Sequence, residues 1–210
     1  MKLETDLVVT ANEDTTHLMI VLHGLGDSME GYRWLPGVMN IPGLNCLLVN
    51  APDEYYGGFS WFPYPPDNID AEVKRSGELL FKLLDEQRER GFVPENIFLF
   101  GFSQGCLMSV EVGLRYPHRL AGIIGISGWA HKPPRLLAEQ SPAAKEQRFL
   151  ITHGTMDPLL PLPMVKACFD ELSAGGINID WRVFPKEHTI YGESEMQAIR
   201  EFVKRSMNNR

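Results

Sequence analysis

Residues 97–105 read Ile97-Phe98-Leu99-Phe100-Gly101-Phe102-Ser103-Gln104-Gly105, and a helix-compatible stretch from Cys106 to Tyr116 follows. An apolar strand-like run, then Gly-x-Ser-x-Gly, then a helix is the context of a nucleophile elbow. In that turn a serine points its hydroxyl out of the sheet, and the glycines make room for a crowded backbone. The bare pattern is only suggestive, with about 0.08 matches expected by chance from the glycine and serine content. The flanking strand and helix lift it above an ordinary tight αβ turn.

Either side of this motif, strand and helix signals alternate. Strands are expected at Leu7–Thr10 and Leu18–Leu22, joined by the polar turn Ala11-Asn12-Glu13-Asp14, and then at Cys46–Val49. A long helix is expected over Ala71–Arg90, closed by Gly91, with Val73, Leu79, Leu80, Leu83 and Leu84 largely at helical spacing. Tyr116-Pro117 stops the elbow helix, because a residue before proline avoids the α region. Further strands are expected at Leu120–Ile126, Arg148–Thr152 and Ile179–Phe184, with helices at Pro163–Ser173, ending at Gly175-Gly176, and at Ser194–Lys204. Continuous apolar strands separated by helices predict a mostly parallel, doubly wound α/β sheet flanked by helices. No repeat or linker divides the chain, so one domain over residues 1–210 is expected. The longer loops, 51–70 and 127–147, are too short for a separate lid domain, which leaves the site open to large substrates.

Composition narrows the function classes. The 210 residues are 44% hydrophobic and 22% charged, with a formal charge of −7, as in a soluble globular protein that does not favour nucleic acid or an anionic membrane. No apolar run approaches the ~20 residues of a membrane span, and the acidic start of the chain is not a signal peptide. Cys46, Cys106 and Cys168 form no Cys-x-x-Cys pair, so neither a zinc site nor a disulfide framework is indicated and buried, reduced thiols are expected. These features give a cytoplasmic address, with no metal and no integral membrane association.

A serine hydroxyl needs a base, and the partners are expected in chain order Ser, then Asp or Glu, then His. His188 is the only histidine that follows a suitable acid. Asp157, in Gly154-Thr155-Met156-Asp157-Pro158, lies just past a strand, where ligands bind in open α/β folds. Asp170 falls within a helix and Asp180 at a strand start. Ser103, Asp157 and His188 are therefore the candidate catalytic residues, the alternatives being a loop-capping aspartate and a surface histidine. His188 is expected to accept the Ser103 proton and Asp157 to orient the ring, so kcat/KM should rise with pH through the neutral range. The backbone N–H of Gln104 and one from His23-Gly24-Leu25-Gly26-Asp27, most naturally that of Leu25, are the expected oxyanion donors. His23 itself is expected to be a packed structural residue.

These blocks together with Ile126-Ser127-Gly128-Trp129 resemble, in order and spacing, the acyl-protein thioesterase, lysophospholipase and carboxylesterase family of small α/β-hydrolases. The likeness runs from about Leu18 to about Phe202. It implies a lid-less α/β-hydrolase fold, no metal or organic cofactor, and Leu25 and Gln104 as oxyanion donors. It also implies that Gly57-Gly58-Phe59-Ser60-Trp61-Phe62 is a substrate loop, with Trp61, Phe62 and Gly24 as substrate-binding residues; the alternative for the two aromatics is a cluster closing over the core. Pro63 and Glu187 depart from the family pattern and bear on pocket shape. The expected activity is cleavage of carboxylic esters or thioesters through an acyl-Ser103 intermediate. The substrates are small-molecule or lipid esters, or acylated protein in a lysophospholipase or thioesterase variant of the same chemistry, handled by a monomer or homodimer. A dienelactone-hydrolase-like enzyme is disfavoured by serine in place of cysteine, and a peptidase by the lack of an appended gating domain. A triad-retaining ligand sensor is the non-enzyme alternative.

Overall fold

The run His17–Leu22 forms strand β2 with all six side chains buried. Its alternate residues serve two different cores: Leu18, Ile20 and Leu22 one, Met19 and Val21 the other. A strand so placed must be covered on both faces, as a near-continuous apolar run implies. The computed structural model describes residues 2–9, 15 and 17–208. In it β2 is central in a seven-stranded sheet of order β1-β3-β2-β6-β7-β8-β9, built from β1 (Thr5–Val8), β3 (Leu44–Val49), β6 (Ile97–Phe102), β7 (Gly122–Ile126), β8 (Arg148–Gly154) and β9 (Asn178–Phe184). All neighbouring pairs are parallel except β1–β3.

Helices α2 (Asp70–Glu89), α3 (Gln104–Arg115) and α5 (Leu162–Ala174) close the first core, and α1 (Leu35–Met39) and α6 (Gly192–Asn208) the second. Tyr116 leaves α3 in extended conformation before Pro117, as the proline requires. Gly175 and Gly176 end α5 with hydrogen bonds back to Glu171 and Ser173.

The expected α/β-hydrolase architecture holds, and no separate lid is present among the described residues. Its first strand differs from expectation. β1 runs Thr5–Val8 and pairs antiparallel with β3, which lies between it and β2; the expected turn 11–14 lies outside the described residues. The loop 51–70 contains a small hairpin, β4 (Asp53–Tyr55) and β5 (Gly58–Ser60), and the loop 127–147 contains α4 (Pro133–Ala138) and a 3-10 turn. Among the described residues no helix is long and apolar enough to cross a membrane. Cys46 and Cys106 are buried, which pushes their thiols up to about 12, whereas Cys168 is only partly covered.

Candidate active site

β6 ends in the sharp turn that the motif requires. Ser103 has φ 54° and ψ −114°, a strained backbone for a residue with a side chain, and its N–H is tied to the Ile126 carbonyl at 2.9 Å. Both motif glycines are steric necessities. A Cβ on Gly101 would come 2.1 Å from the Gly105 carbonyl oxygen, and one on Gly105 would come 2.1 Å from that of Leu22.

Ser103, Asp157 and His188 come together at the carboxyl edge of the sheet. Ser103 Oγ is 2.9 Å from His188 Nε2, and His188 Nδ1 is 2.8 Å from Asp157 Oδ2. Because an ionised carboxylate only accepts, the hydrogen belongs on Nδ1, which leaves Nε2 to accept from the Ser103 hydroxyl. The second Asp157 oxygen accepts the N–H groups of Leu159 at 3.0 Å and Leu160 at 2.9 Å. Burial pushes the Asp157 carboxyl up, but the Leu160 and His188 hydrogen bonds outweigh it and hold the group below its ordinary value. The aspartate is thus both a loop cap and the partner of the histidine.

Two supports under this chain of groups were not apparent in the sequence. Buried His153 approaches the Leu160 carbonyl at 2.8 Å with Nε2, which fixes the residue whose N–H holds Asp157; burial keeps this imidazole below its usual pKa. Lys186, two residues before His188, is wholly enclosed. Its ammonium donates to Glu195 on α6 at 2.6 Å and to the Thr189 carbonyl at 2.8 Å, while the other Glu195 oxygen accepts the Tyr191 N–H at 2.6 Å. Backbone bonds from Thr155 to Phe184 and from Met156 to Lys186 join the Asp157 loop to the His188 loop. Lys186 carries no motif, and its burial follows only from pairing with the next helix.

The glycine loop after β2 stands against Ser103. A Cβ on Gly24 would lie 3.3 Å from Ser103 Cβ. Gly26, at φ 76°, donates to the Phe59 carbonyl, and Phe59 donates back to that of Asp27, so the β4–β5 hairpin braces this loop. Among the described residues no acceptor engages the Leu25 N–H, and Gln104, as the first residue of α3, has a backbone N–H with no intrahelical partner. His23 is buried with both ring nitrogens engaged elsewhere than at the serine: Nδ1 lies 2.6 Å from the Gly24 carbonyl, and Nε2 accepts the Ala51 N–H at 3.0 Å.

Trp61 and Phe62 are buried, at 0% and 1% exposure. The Trp61 indole donates to the His23 carbonyl, and Phe62 meets Trp129 edge to face. The Gln104 side chain accepts the Trp61 N–H at 3.0 Å and donates to the Phe62 carbonyl at 2.8 Å, so it stitches this segment to the elbow. Both aromatics belong to the buried apolar cluster on this side of the sheet. The exposed apolar surface beside the site is instead that of Met156 and Leu159, which flank Asp157.

Away from the triad, a cleft of ≈330 Å³ separates α2 from the end of α3 and from α4. Buried Glu111 at its wall accepts from Arg115 at 2.9 Å, and burial pushes its carboxyl up to about 7. Among the described residues no group of three histidine, cysteine or acidic side chains is placed to hold a metal ion.

This sheet, with a serine elbow at the end of a central strand, defines a hydrolase of the α/β-hydrolase class. The chain belongs to the phospholipase/carboxylesterase family, whose profile matches residues 3–207. Acyl-protein thioesterase 1 of Schizosaccharomyces pombe is 30% identical over 168 residues, which cover 74% of this chain and 75% of that protein. Among solved structures, esterase PE8 superposes with a TM-score of 0.86 at 25% identity, covering 98% of this chain and 99% of that one. SOBER1 of Arabidopsis thaliana shares the fold with a TM-score of 0.84 at 24% identity, over 91% of this chain and 99% of that one.

Proposed function

We propose that this hydrolase cleaves carboxylic esters or thioesters through an acyl-Ser103 intermediate. The observation that carries this reading is the unbroken chain Ser103 Oγ, His188 Nε2, His188 Nδ1, Asp157 Oδ2, with steps of 2.9 and 2.8 Å. His188 takes the serine proton as Oγ attacks the acyl carbon and returns it to the leaving alkoxide or thiolate. Asp157 keeps the ring in the tautomer that can accept and offsets the charge of the imidazolium. The N–H groups of Leu25 and Gln104 receive the oxyanion, a role supported by their lack of acceptors among the described residues and by the nearness of Gly24 to Ser103, where an added Cβ would come within 3.3 Å. Water then repeats the sequence on the acyl-enzyme and frees the acid. No cofactor enters any step. Free, unpaired cysteines accord with a cytoplasmic address.

Long-chain substrates, lysophospholipids or acylated proteins, are the second reading. It is favoured by exposed Met156 and Leu159 beside Asp157 and by the name of the thioesterase relative. A fluorophosphonate should label the protein at Ser103, and Ser103→Ala should abolish labelling and lower kcat at least about 10³-fold. Across p-nitrophenyl esters from acetate to palmitate, a kcat/KM maximum at acetate or butyrate assigns a small-ester carboxylesterase. A maximum at octanoate or beyond assigns the long-chain reading. Absence of turnover with every ester overturns the proposal.

A further inference from the structure

We propose that the cleft between α2, α3 and α4 is a second binding site, for a small neutral amphiphile with a hydroxyl or amide head and a short aliphatic tail. The cleft, ≈330 Å³, lies at the lower end of small-molecule sites. Its floor is apolar, formed by Val73, Gly77 and Phe81 of α2 facing Val112 of α3.

Gly77 is the residue that points to an occupant. It is buried in the middle of a twenty-residue helix, where glycine destabilises relative to alanine. Elsewhere in the helical layer such a glycine has a steric cause: on α3, a Cβ at Gly113 would press to 2.9 Å from Ile123. At Gly77 an added Cβ meets nothing within 4 Å, so no neighbour demands the glycine. What it does is keep the floor of the cleft bare.

The walls select the head group. Arg115 is shared between Glu111 and Glu139, Arg135 between Glu139 and Asp70, and Asp70 also takes His131. Lys74 and Glu78, opposite charges four residues apart on α2, also line the cleft, so a charged ligand that reaches one of them lies close to a like charge on the other, whereas a neutral one leaves every wall charge as it stands. The second oxygen of Glu111 has no protein donor among the described residues. With its carboxyl near neutrality in titration, Glu111 can accept from or donate to a hydroxyl or amide.

The test is a titration of the intact protein, pre-labelled at the active site with a fluorophosphonate, with 1-octanol followed by amide NMR. Saturable shifts are expected at Gly77, Phe81 and Val112, with octanoate and octylammonium roughly tenfold weaker or worse. Gly77→Leu should fold, keep ester hydrolysis in the unlabelled enzyme and lose the octanol shifts, while Gly77→Ala should weaken them and raise thermal stability. No saturable shift at these amides, equal binding of the three head groups, or unchanged binding by Gly77→Leu overturns the proposal. Failure of Gly77→Leu to fold also overturns it, since the space would then not be open. Failure of the protein to react with the fluorophosphonate concerns Ser103 alone and leaves the octanol titration of the unlabelled protein to decide the cleft.

Discussion

Lys186→Met should be among the most damaging single changes in this chain, although it removes a charge and adds an apolar side chain. Both Lys186 and Glu195 are at 0% side-chain exposure, and their 2.6 Å contact is the only ion pair either makes among the described residues. Methionine fills much of the lysine's volume, so no large cavity enters the cost. The Glu195 carboxylate is left enclosed with the Tyr191 N–H alone. Removing one partner of such a pair typically costs about 3–5 kcal/mol, a large share of the roughly 5–15 kcal/mol that holds a domain together. For a chain of this size that is a fall in Tm of roughly 6–20 °C. The double change Lys186→Met, Glu195→Leu removes both charges and should recover most of the loss, leaving about 1–3 kcal/mol for the orphaned Tyr191 N–H. Urea denaturation of the two variants, followed by circular dichroism, checks this. A single variant within about 1 kcal/mol of the parent, or a double variant less stable than the single, refutes the argument from charge burial.

Two other variants can be measured separately. Asp157→Asn should keep the fold and lower kcat by about 10⁴-fold, because an amide in place of the carboxylate no longer holds His188 in the accepting tautomer. Since the folded Asp157 carboxyl lies below its ordinary value, the parent gains stability from it above about pH 4 and loses that gain as pH falls further; the asparagine variant should lack this loss in acid denaturation profiles. Glu111 has the opposite sign, raised from 4.5 to about 7. Its folded form holds a proton that the unfolded chain releases, so the parent should lose up to about 3 kcal/mol between pH 4.5 and 8 from this group, and Glu111→Gln should flatten that slope in urea titrations at the two pH values.

Local signals were the ones the sequence carried well. The elbow was readable because its strand, glycines and helix are contiguous, and Asp157 and His188 because each follows a strand. Position relative to strand ends determined where they stand in the fold. Non-local pairing was not readable. Nothing near Thr5–Val8 says that its partner is Leu44–Val49 and not the adjacent strand, since both runs are equally apolar to a local reading. Trp61 and Phe62 sit in a glycine- and proline-rich segment that resembles a surface loop. Their enclosure depends on hydrogen bonds to Gln104 and His23, tens of residues away. Lys186 is the clearest case, because a lysine beside a proline and a glutamate carries the signature of solvent. Only the approach of Glu195 makes its burial tolerable. The short helix Pro133–Ala138 escaped because one and a half turns opened by two prolines have no periodicity to detect.

The serine and the histidine stand 85 residues apart in the chain yet 2.9 Å apart in space. Synthesis therefore delivers Ser103 and both proposed oxyanion donors long before the proposed base, His188, exists. A nascent chain that has reached β7 holds a strained elbow but no means of activating it, and β9 must add to the far edge of the sheet before His188 can reach inward. On the proposed mechanism, hydrolysis is thus a property of the finished sheet only. A ribosome-tethered or prematurely released chain is chemically silent toward the esters around it, and the appearance of activity during refolding marks the docking of the last strand.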